Sequence, residues 1–202
     1  MPVFSVQYFG SIYFYYLVQQ YPKICIETKE YFVKQTYRNR HYILTANGVM
    51  PLIIPLKHHS SKEMIDKKEI CYKEKWYKNH YVAILSAYRK SPFFEYYADE
   101  LLQHLIQPEE KFLFELDMKL MKTILKILGI KTTIEYTSEY KTNYEMDYRN
   151  FFDKKLTLPD KLKVPYLQVF SDRFPFQPNL SVLDLIFNLG PDAGEYVRES
   201  SD

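Results

Sequence analysis

Basic and amide side chains crowd into one short stretch of the chain. Lys34, Arg38 and Arg40 place three permanent cations within residues 34–40, interleaved with Gln35 and Asn39 and without the apolar spacing of a buried helix. Arginine offers a planar fork of donors that suits a carboxylate or a phosphate, and lysine adds a point charge. The stretch therefore predicts an anion-binding site, with solvated surface charge as the alternative.

Two carboxylates precede this basic stretch. Glu27 and Glu30 lie seven and four residues before Lys34, the first of its cations. Cations that hold an anion, beside a carboxylate that removes a proton from an attacking amine or hydroxyl, would suit a transferase. We therefore name Glu27 and Glu30 as catalytic candidates. The alternative is that they only balance the charge of their basic neighbours.

Other mechanisms lack the motifs that they require. The chain has no GxSxG elbow and no cysteine paired with a nearby histidine, which disfavours a covalent acyl-enzyme. HExxH and DxD-type carboxylate clusters are absent, so we expect no metal site. Neither GxGxxG nor GKS/T occurs, which sets aside a standard dinucleotide or P-loop site. We expect no cofactor.

The elements that must position these residues begin at the N-terminus. An extended run over residues 2–7, helical spacing from Ile12 and alternation over residues 23–27 predict a strand, helix, strand unit of a parallel sheet. Ligands of such sheets bind beyond the carboxyl ends of the strands. Tyr8 and Phe9 follow the first predicted strand, so we expect them to face a ligand, together with Tyr37 of the basic stretch.

Later patterns complete an α/β fold. Asn47 and Gly48 lie between two apolar runs and predict a two-residue hairpin loop. Helical spacing starts at Trp76, and further helices are predicted from Ser91 and from Pro108. We expect a three-layer Rossmann-like arrangement with a mainly parallel sheet, an inserted β-hairpin and a helical segment.

The closing part of the chain contains one more candidate. Ser181 followed by Asp184 approximates a capping box at a helix start. Asp184 is therefore either a helix-capping residue or a ligand-binding one. Beyond residue 192 the chain is acidic and rich in small residues, and we expect a frayed tail over residues 193–202.

Composition limits the partners. The chain has 202 residues, 47% hydrophobic content and a net charge of +2, so we expect one domain without the strong field that draws proteins to nucleic acid. Its apolar N-terminal run is shorter than the ~20 residues of a membrane helix, so we expect no integral membrane association. Two cysteines without CxxC spacing favour the cytoplasm. The oligomeric state stays open.

Three blocks of sequence carry a family resemblance. Residues 8–56 begin YFGSIYFYYLVQQYPKICIE, residues 76–97 read WYKNHYVAILSAYRKSPFFEYY, and residues 165–190 contain PYLQVF and FQPNLSVLDLIFNLG. In this order they resemble the WbqC-like family, whose members occur in gene clusters for O-antigen and other surface polysaccharides. Longer relatives carry a glycine-containing segment before the closing block, where residues 144–164 of this chain are charged instead.

The resemblance implies a pathway and adds candidates. A glycine transferase role has been proposed for some members of the family. Because the resemblance falls on His80 and Tyr88, we name His80 as a proton-transferring group and Tyr88 as a ligand-binding residue. A packed structural histidine is the alternative for His80. The resemblance also implies a single WbqC-like domain over residues 1–192.

Two functions from different classes follow. The first is a transferase of surface-polysaccharide biosynthesis that moves an aminoacyl (glycine) or similar small group onto an activated sugar, with Arg38 and Arg40 as an anion clamp. The second is a noncatalytic glycan or nucleotide-sugar binding protein. In both, the partner is a small anionic or sugar-linked ligand.

Overall fold

The computed structural model describes residues 1–58, 62–152 and 156–198. In chain order the elements are β1 (Val3–Phe4), α1 (Ile12–Val18), β2 (Lys23–Ile26), β3 (Arg40–Thr45), β4 (Gly48–Ile53), α2 (Trp76–Tyr88), α3 (Phe94–Ile106), α4 (Leu113–Ile127), β5 (Thr133–Tyr136), α5 (Val182–Leu189) and α6 (Ala193–Val197). Short 3-10 turns occupy Ile65–Lys67, Asp160–Lys163 and Gly190–Asp192.

A small parallel sheet forms one part of the core. Its strand order is β1-β2-β5, with Cys25 of the central strand opposite Val3 on one side and Glu135 on the other. Asp147 extends it beyond β1, because Val3 N–H donates to the Met146 carbonyl at 2.9 Å and Tyr148 N–H donates to the Val3 carbonyl at 2.8 Å. All of these segments run parallel, so their carboxyl ends meet at one edge.

A separate antiparallel hairpin follows. Strands β3 and β4 pair with Thr45 opposite Gly48, so the two-residue loop is Ala46 and Asn47 rather than the predicted Asn47 and Gly48. Gly48 takes a φ of 100° and is the loop-flanking residue with positive φ. The α/β class, the parallel sheet and the hairpin are confirmed.

The first βα connection needs a specific backbone. Gly10 has a φ of 71°, and a Cβ there would lie 2.8 Å from the Tyr15 ring, so glycine is required. Ser11 then begins α1 by accepting a hydrogen bond from the Phe14 amide at 3.2 Å. Every residue of α1 is buried, which makes this helix a central element of the core.

Helix boundaries differ from the prediction in the middle of the chain. The helix predicted from Pro108 begins at Leu113, because residues 108–111 form a connection whose Lys111 carbonyl accepts from the Ile70 amide at 3.0 Å. None of the helices in the described part of the chain has the length and apolar character needed to cross a membrane.

The expected frayed tail is wrong for residues 193–197. They form α6, which packs against α1 and buries Ala193, Gly194 and Val197. Gly194 lies so close to the Leu128 backbone that a Cβ would collide with its carbonyl oxygen. Helix α6 is therefore part of the core, and residues 199–202 lie outside the described residues.

Candidate functional site

Glu27 lies at the carboxyl edge of the parallel sheet and is fully buried. Its Oε1 accepts from Thr137 Oγ1 at 2.6 Å and from the Lys29 amide at 2.8 Å, while its Oε2 accepts from Arg149 Nη1 at 3.3 Å. Since Thr137 follows β5 and Arg149 follows the segment beside β1, this carboxylate ties three neighbouring strand ends together. Its contacts are those of an architectural residue.

Arg149 also anchors the loop that leads to it. Its guanidinium donates to the carbonyls of Lys141 at 2.8 Å and Thr142 at 3.0 Å, and it forms an ion pair with Asp147. The Tyr144 ring lies 4.8 Å from the guanidinium carbon, a cation–π contact. Sequence spacing does not reveal its link to Glu27, because the two residues lie 122 positions apart and follow no periodic pattern.

Arg38 and Glu30 form a buried bidentate ion pair. Arg38 Nε donates to Glu30 Oε1 at 2.9 Å and Nη2 donates to Glu30 Oε2 at 2.7 Å. Nη2 also lies within 3.1 Å of Ser5 Oγ, the Arg149 carbonyl and Asn150 Oδ1. Because the Arg38 side chain is only 2% exposed, it faces the protein interior and not a solvent-filled cleft.

The basic stretch does not present all of its cations to solvent. A carboxylate already occupies the fork of Arg38 that was assigned to an external anion, and Glu30 is the partner of that cation. Both residues are therefore placed in the architecture of the sheet edge, and the ligand-binding and catalytic roles predicted for them receive no support from their contacts. Arg40, at the start of β3, is half-buried, and its Nε has no hydrogen-bond partner among the described residues.

Two other residues of the stretch line a cleft. Lys34 and Asn39 border a space of about 320 Å³, together with Lys57, Lys68 and Glu63. Its remaining lining residues are Phe32, Ile53, Ile54, Pro55, Leu56 and His58. We call this space the lysine cleft. Asn39 is fixed in its wall, because its Nδ2 donates to the Ile54 carbonyl at 2.9 Å.

Charge in the lysine cleft is unevenly compensated. Lys68 Nζ lies 2.6 Å from Glu63, and Lys57 Nζ lies 2.8 Å from Glu69. In the part of the chain that the structure describes, no ion-pair partner is found for Lys34, whose side chain is exposed. The cleft thus carries an uncompensated positive charge at Lys34, as an anion-binding site requires.

The other two predicted residues of the stretch lie in its turns. Gln35 is exposed and has a φ of 62°. Tyr37 is half-buried, and its ring packs edge-on against Tyr42 at 5.6 Å between centroids. Its carbonyl accepts from the Tyr8 amide at 3.0 Å, which joins the basic stretch to the loop after β1. Neither side chain lines the lysine cleft.

Tyr8 and Phe9 are fully buried, not ligand-facing at a surface. The Tyr8 hydroxyl lies 3.0 Å from His80 Nδ1, so these two predicted site residues are in contact. Burial lowers the pKa of His80 to about 4, and burial raises the pKa of Tyr8 further above its usual range. The lowered pKa and the contact with Tyr8 favour the packed histidine that was the alternative to a proton-transferring group.

Unpaired polar groups surround this contact. His41 is fully buried with its ring 4.8 Å from that of Tyr8, and neither of its nitrogens has a hydrogen-bond partner among the described residues. Asp117 of α4 is 1% exposed, and both its carboxylate oxygens are likewise unpaired. Burial lowers the pKa of His41 and raises that of Asp117, so both are held uncharged.

Tyr88 and Asp184 come together in a second buried cluster. Asp184 Oδ2 accepts from Tyr166 Oη at 2.6 Å and from Gln168 Nε2 at 2.9 Å, and burial raises its pKa. Burial, followed by the charge of Asp184, raises the pKa of Tyr88, whose oxygen accepts from the Leu44 amide at 3.4 Å. The cluster joins α2, α5 and the hairpin.

The predicted candidates therefore separate into distinct places. Glu27, Glu30 and Arg38 lie at the sheet edge, Tyr8, Phe9 and His80 in the interior, and Tyr88 with Asp184 in the second cluster. Lys34 and Asn39 line the lysine cleft. Within residues 1–58, 62–152 and 156–198, no group of three or more histidine, cysteine, aspartate or glutamate side chains is arranged to hold a metal ion.

The fold and these clusters define an α/β protein with a parallel sheet whose edge is closed by buried ion pairs. A sequence model described as the WbqC-like protein family matches residues 6–158, about three quarters of the chain. The chain belongs to the WbqC-like family. The matched range contains the first two blocks of the resemblance, whereas the closing block at residues 165–190 lies beyond it.

One relative matches most of the chain, but its activity is not known. The chain is 23% identical over 193 residues to Rv1507c of Mycobacterium tuberculosis (strain ATCC 25618 / H37Rv), which is described as uncharacterised. The alignment covers 83% of this chain and 84% of that protein. None of the solved structures matches the chain significantly.

Proposed function

We propose that this protein binds a small phosphate- or carboxylate-bearing sugar derivative in the lysine cleft, as a cytoplasmic transferase of surface-polysaccharide biosynthesis. The uncompensated charge of Lys34 in a concave, lysine-lined space carries the proposal. Membership of a family whose members occur in surface-polysaccharide gene clusters supports the pathway, and we propose an aminoacyl or similar small group as the transferred moiety.

The size of the cleft limits the ligand. Its volume of about 320 Å³ lies near the lower end of the roughly 300–1,000 Å³ of ligand sites. A sugar phosphate suits this space, whereas the distal part of a nucleotide sugar would extend into solvent. His58 and Glu63 line the same cleft and are its candidate proton acceptors for a bound amine or hydroxyl, with Glu63 paired to Lys68 at 2.6 Å.

A noncatalytic binding protein for the same ligands is favoured by one observation. The catalytic candidates Glu27, Glu30 and His80 are all buried against protein partners, and none of them lines the lysine cleft. If the protein is a noncatalytic binding protein, the lysine cleft binds the ligand without changing it chemically.

Calorimetric titration with hexose 1-phosphates and nucleoside diphosphate sugars tests the binding. We expect Lys34→Ala to weaken binding about fivefold, because loss of one partly solvated charge interaction is worth ~1 kcal/mol. Lys122→Ala is the matched control, since Lys122 is an exposed lysine of α4 outside the cleft. Equal affinity of both variants and the wild type would place the ligand elsewhere.

Mass spectrometry of the same mixtures distinguishes the two functions. Incubation with activated glycine and the bound sugar should yield a product heavier than the acceptor by one glycyl residue if the protein is a transferase. Binding without product for every donor would leave the noncatalytic function.

A further inference from the structure

A second groove lies where α3 meets α4, away from the lysine cleft. It consists of two adjoining hollows of about 370 and 440 Å³, both lined by Ile106, Gln107 and Glu109. The first hollow is completed by Gln103, His104, Glu110 and Lys119, and the second by Tyr72, Tyr77 and Pro108. We call these two hollows together the tyrosine groove.

Aromatic rings form one end of the tyrosine groove. The rings of Tyr72 and Tyr77 are half-buried, and their centroids lie 6.2 Å apart at an angle of 63°. Buried Trp76 contacts both, stacking on Tyr72 at 6.0 Å and meeting Tyr77 edge-on at 6.0 Å. The Tyr72 hydroxyl donates to the Glu110 carbonyl at 2.8 Å. These contacts fix the rings in place before any ligand arrives.

A carboxylate is fixed at the other end. Glu110 is 5% exposed, and its Oε1 lies 2.7 Å from Lys119 Nζ and 3.3 Å from His104 Nδ1. Its second oxygen accepts from the Glu109 amide at 3.2 Å. Lys119 offsets the charge of Glu110, so this end offers oriented hydrogen-bonding groups with little excess charge.

Exposed amides complete the lining between the two ends. Gln103 and Gln107 present side chains that both donate and accept, and the Glu109 carboxylate beside them is exposed and accepts only. Pairs of amide and carboxylate groups match the adjacent hydroxyls of a sugar ring, while tyrosine faces cover its apolar C–H surface. The combination differs from the lysine cleft, where lysine charge dominates.

We infer that the tyrosine groove binds a neutral saccharide, with Tyr77 as the packing surface and Gln107 as a hydrogen-bonding residue. Two adjoining hollows indicate a ligand of two or more sugar units. The site is independent of the lysine cleft, and its occupant carries no phosphate.

Saturation-transfer NMR and titration with neutral oligosaccharides test this inference. The probes are maltotriose, mannobiose and chitobiose, added to the full chain. We expect millimolar or tighter binding of at least one probe. Tyr77→Ala should weaken it at least tenfold and Gln107→Ala at least threefold, with circular dichroism showing that both variants are folded.

Two controls make the result specific. Tyr96→Ala removes a tyrosine that is 80% exposed on α3 outside the groove and should leave affinity unchanged. Lys34→Ala should also leave saccharide affinity unchanged, which separates this site from the lysine cleft. The inference is overturned if no neutral probe binds, if the groove variants bind like the wild type, or if the groove captures only cationic ligands such as spermidine.

Discussion

The Tyr8 hydroxyl and Nδ1 of His80 lie 3.0 Å apart in the protein interior, although 72 positions separate them in sequence. Tyr8 is fully buried, and His80 is 5% exposed. The contact joins the loop after β1 to helix α2. The contact therefore gives His80 a packing role between these two elements.

The depressed pKa of His80 predicts a pH-dependent stability. Its pKa falls from 6.5 to about 4 through burial, so the unfolded chain binds the proton first as pH is lowered. The contribution of His80 is therefore complete above pH 6.5 and is lost as pH falls toward 4. We expect His80 to contribute a loss of about 2 kcal/mol in unfolding free energy between pH 7.5 and pH 5, in addition to the changes from other buried titratable groups such as His41.

Urea denaturation at the two pH values measures this loss. His80→Gln should reduce the difference between pH 7.5 and pH 5 by most of that amount, because glutamine does not titrate. Asn79→Gln, at the exposed neighbouring position on α2, is the control. A variant that loses as much stability as the wild type would show that His80 titrates normally.

The Arg38–Glu30 pair predicts a large stability effect without loss of ligand binding. Arg38→Met leaves the Glu30 carboxylate buried and unpaired, which should cost about 3–5 kcal/mol. Replacing both residues, Arg38→Met with Glu30→Leu, should recover much of this loss, since no unpaired charge remains. Chemical denaturation of both variants measures the difference.

The matched control is Arg173→Met, because Arg173 pairs with Asp172 at the surface. We expect a change within about 0.5 kcal/mol there. If Arg38→Met keeps wild-type stability and abolishes binding of hexose phosphates, Arg38 belongs to an anion clamp as the sequence suggested.

Local patterns predicted much of the fold. The strand, helix, strand unit around α1 and the hairpin were recognisable because each depends on periodicity or turn residues within a few positions. The course of residues 146–150 beside β1 was not predicted, because that pairing depends on contacts more than 140 residues away, such as the Ser5 hydroxyl donating to the Arg149 carbonyl. Sequence spacing alone does not encode such contacts.

The candidate site was predicted only in part for a related reason. Lys34 and Arg38 are four residues apart, yet one lines a cleft and the other is buried in an ion pair. The segment is a series of turns, where side-chain direction cannot be inferred from spacing. By contrast, helical spacing is enough to predict that Asp117 is buried, because Asp117 lies four residues after Leu113 on the buried side of α4.

The buried carboxyl group of Asp117 gives the protein a second pH dependence, opposite in sign to that of His80. Burial raises its pKa well above the usual 3.8, so the folded protein keeps this proton at pH values where the unfolded chain has released it. The contribution of Asp117 to the unfolding free energy is therefore fully present below pH 3.8 and is lost as pH rises through the raised pKa. At pH 7 the residue therefore destabilises the fold, and Asp117→Asn should raise the melting temperature by about 2–4 °C for each kcal/mol gained.

Thermal unfolding of wild type and Asp117→Asn across pH 4–8 measures the effect. The gain should be largest at pH 7–8 and shrink as pH falls toward 4, because the unfolded wild-type chain then also begins to bind the proton that the folded chain keeps. Asp99→Asn, at an exposed position of α3, should show no such trend. If Asp117→Asn is less stable than the wild type at every pH, the carboxylate of Asp117 is ionised and paired in the folded protein. The interior beside Tyr8 would then hold a bound group that pairs with this carboxylate.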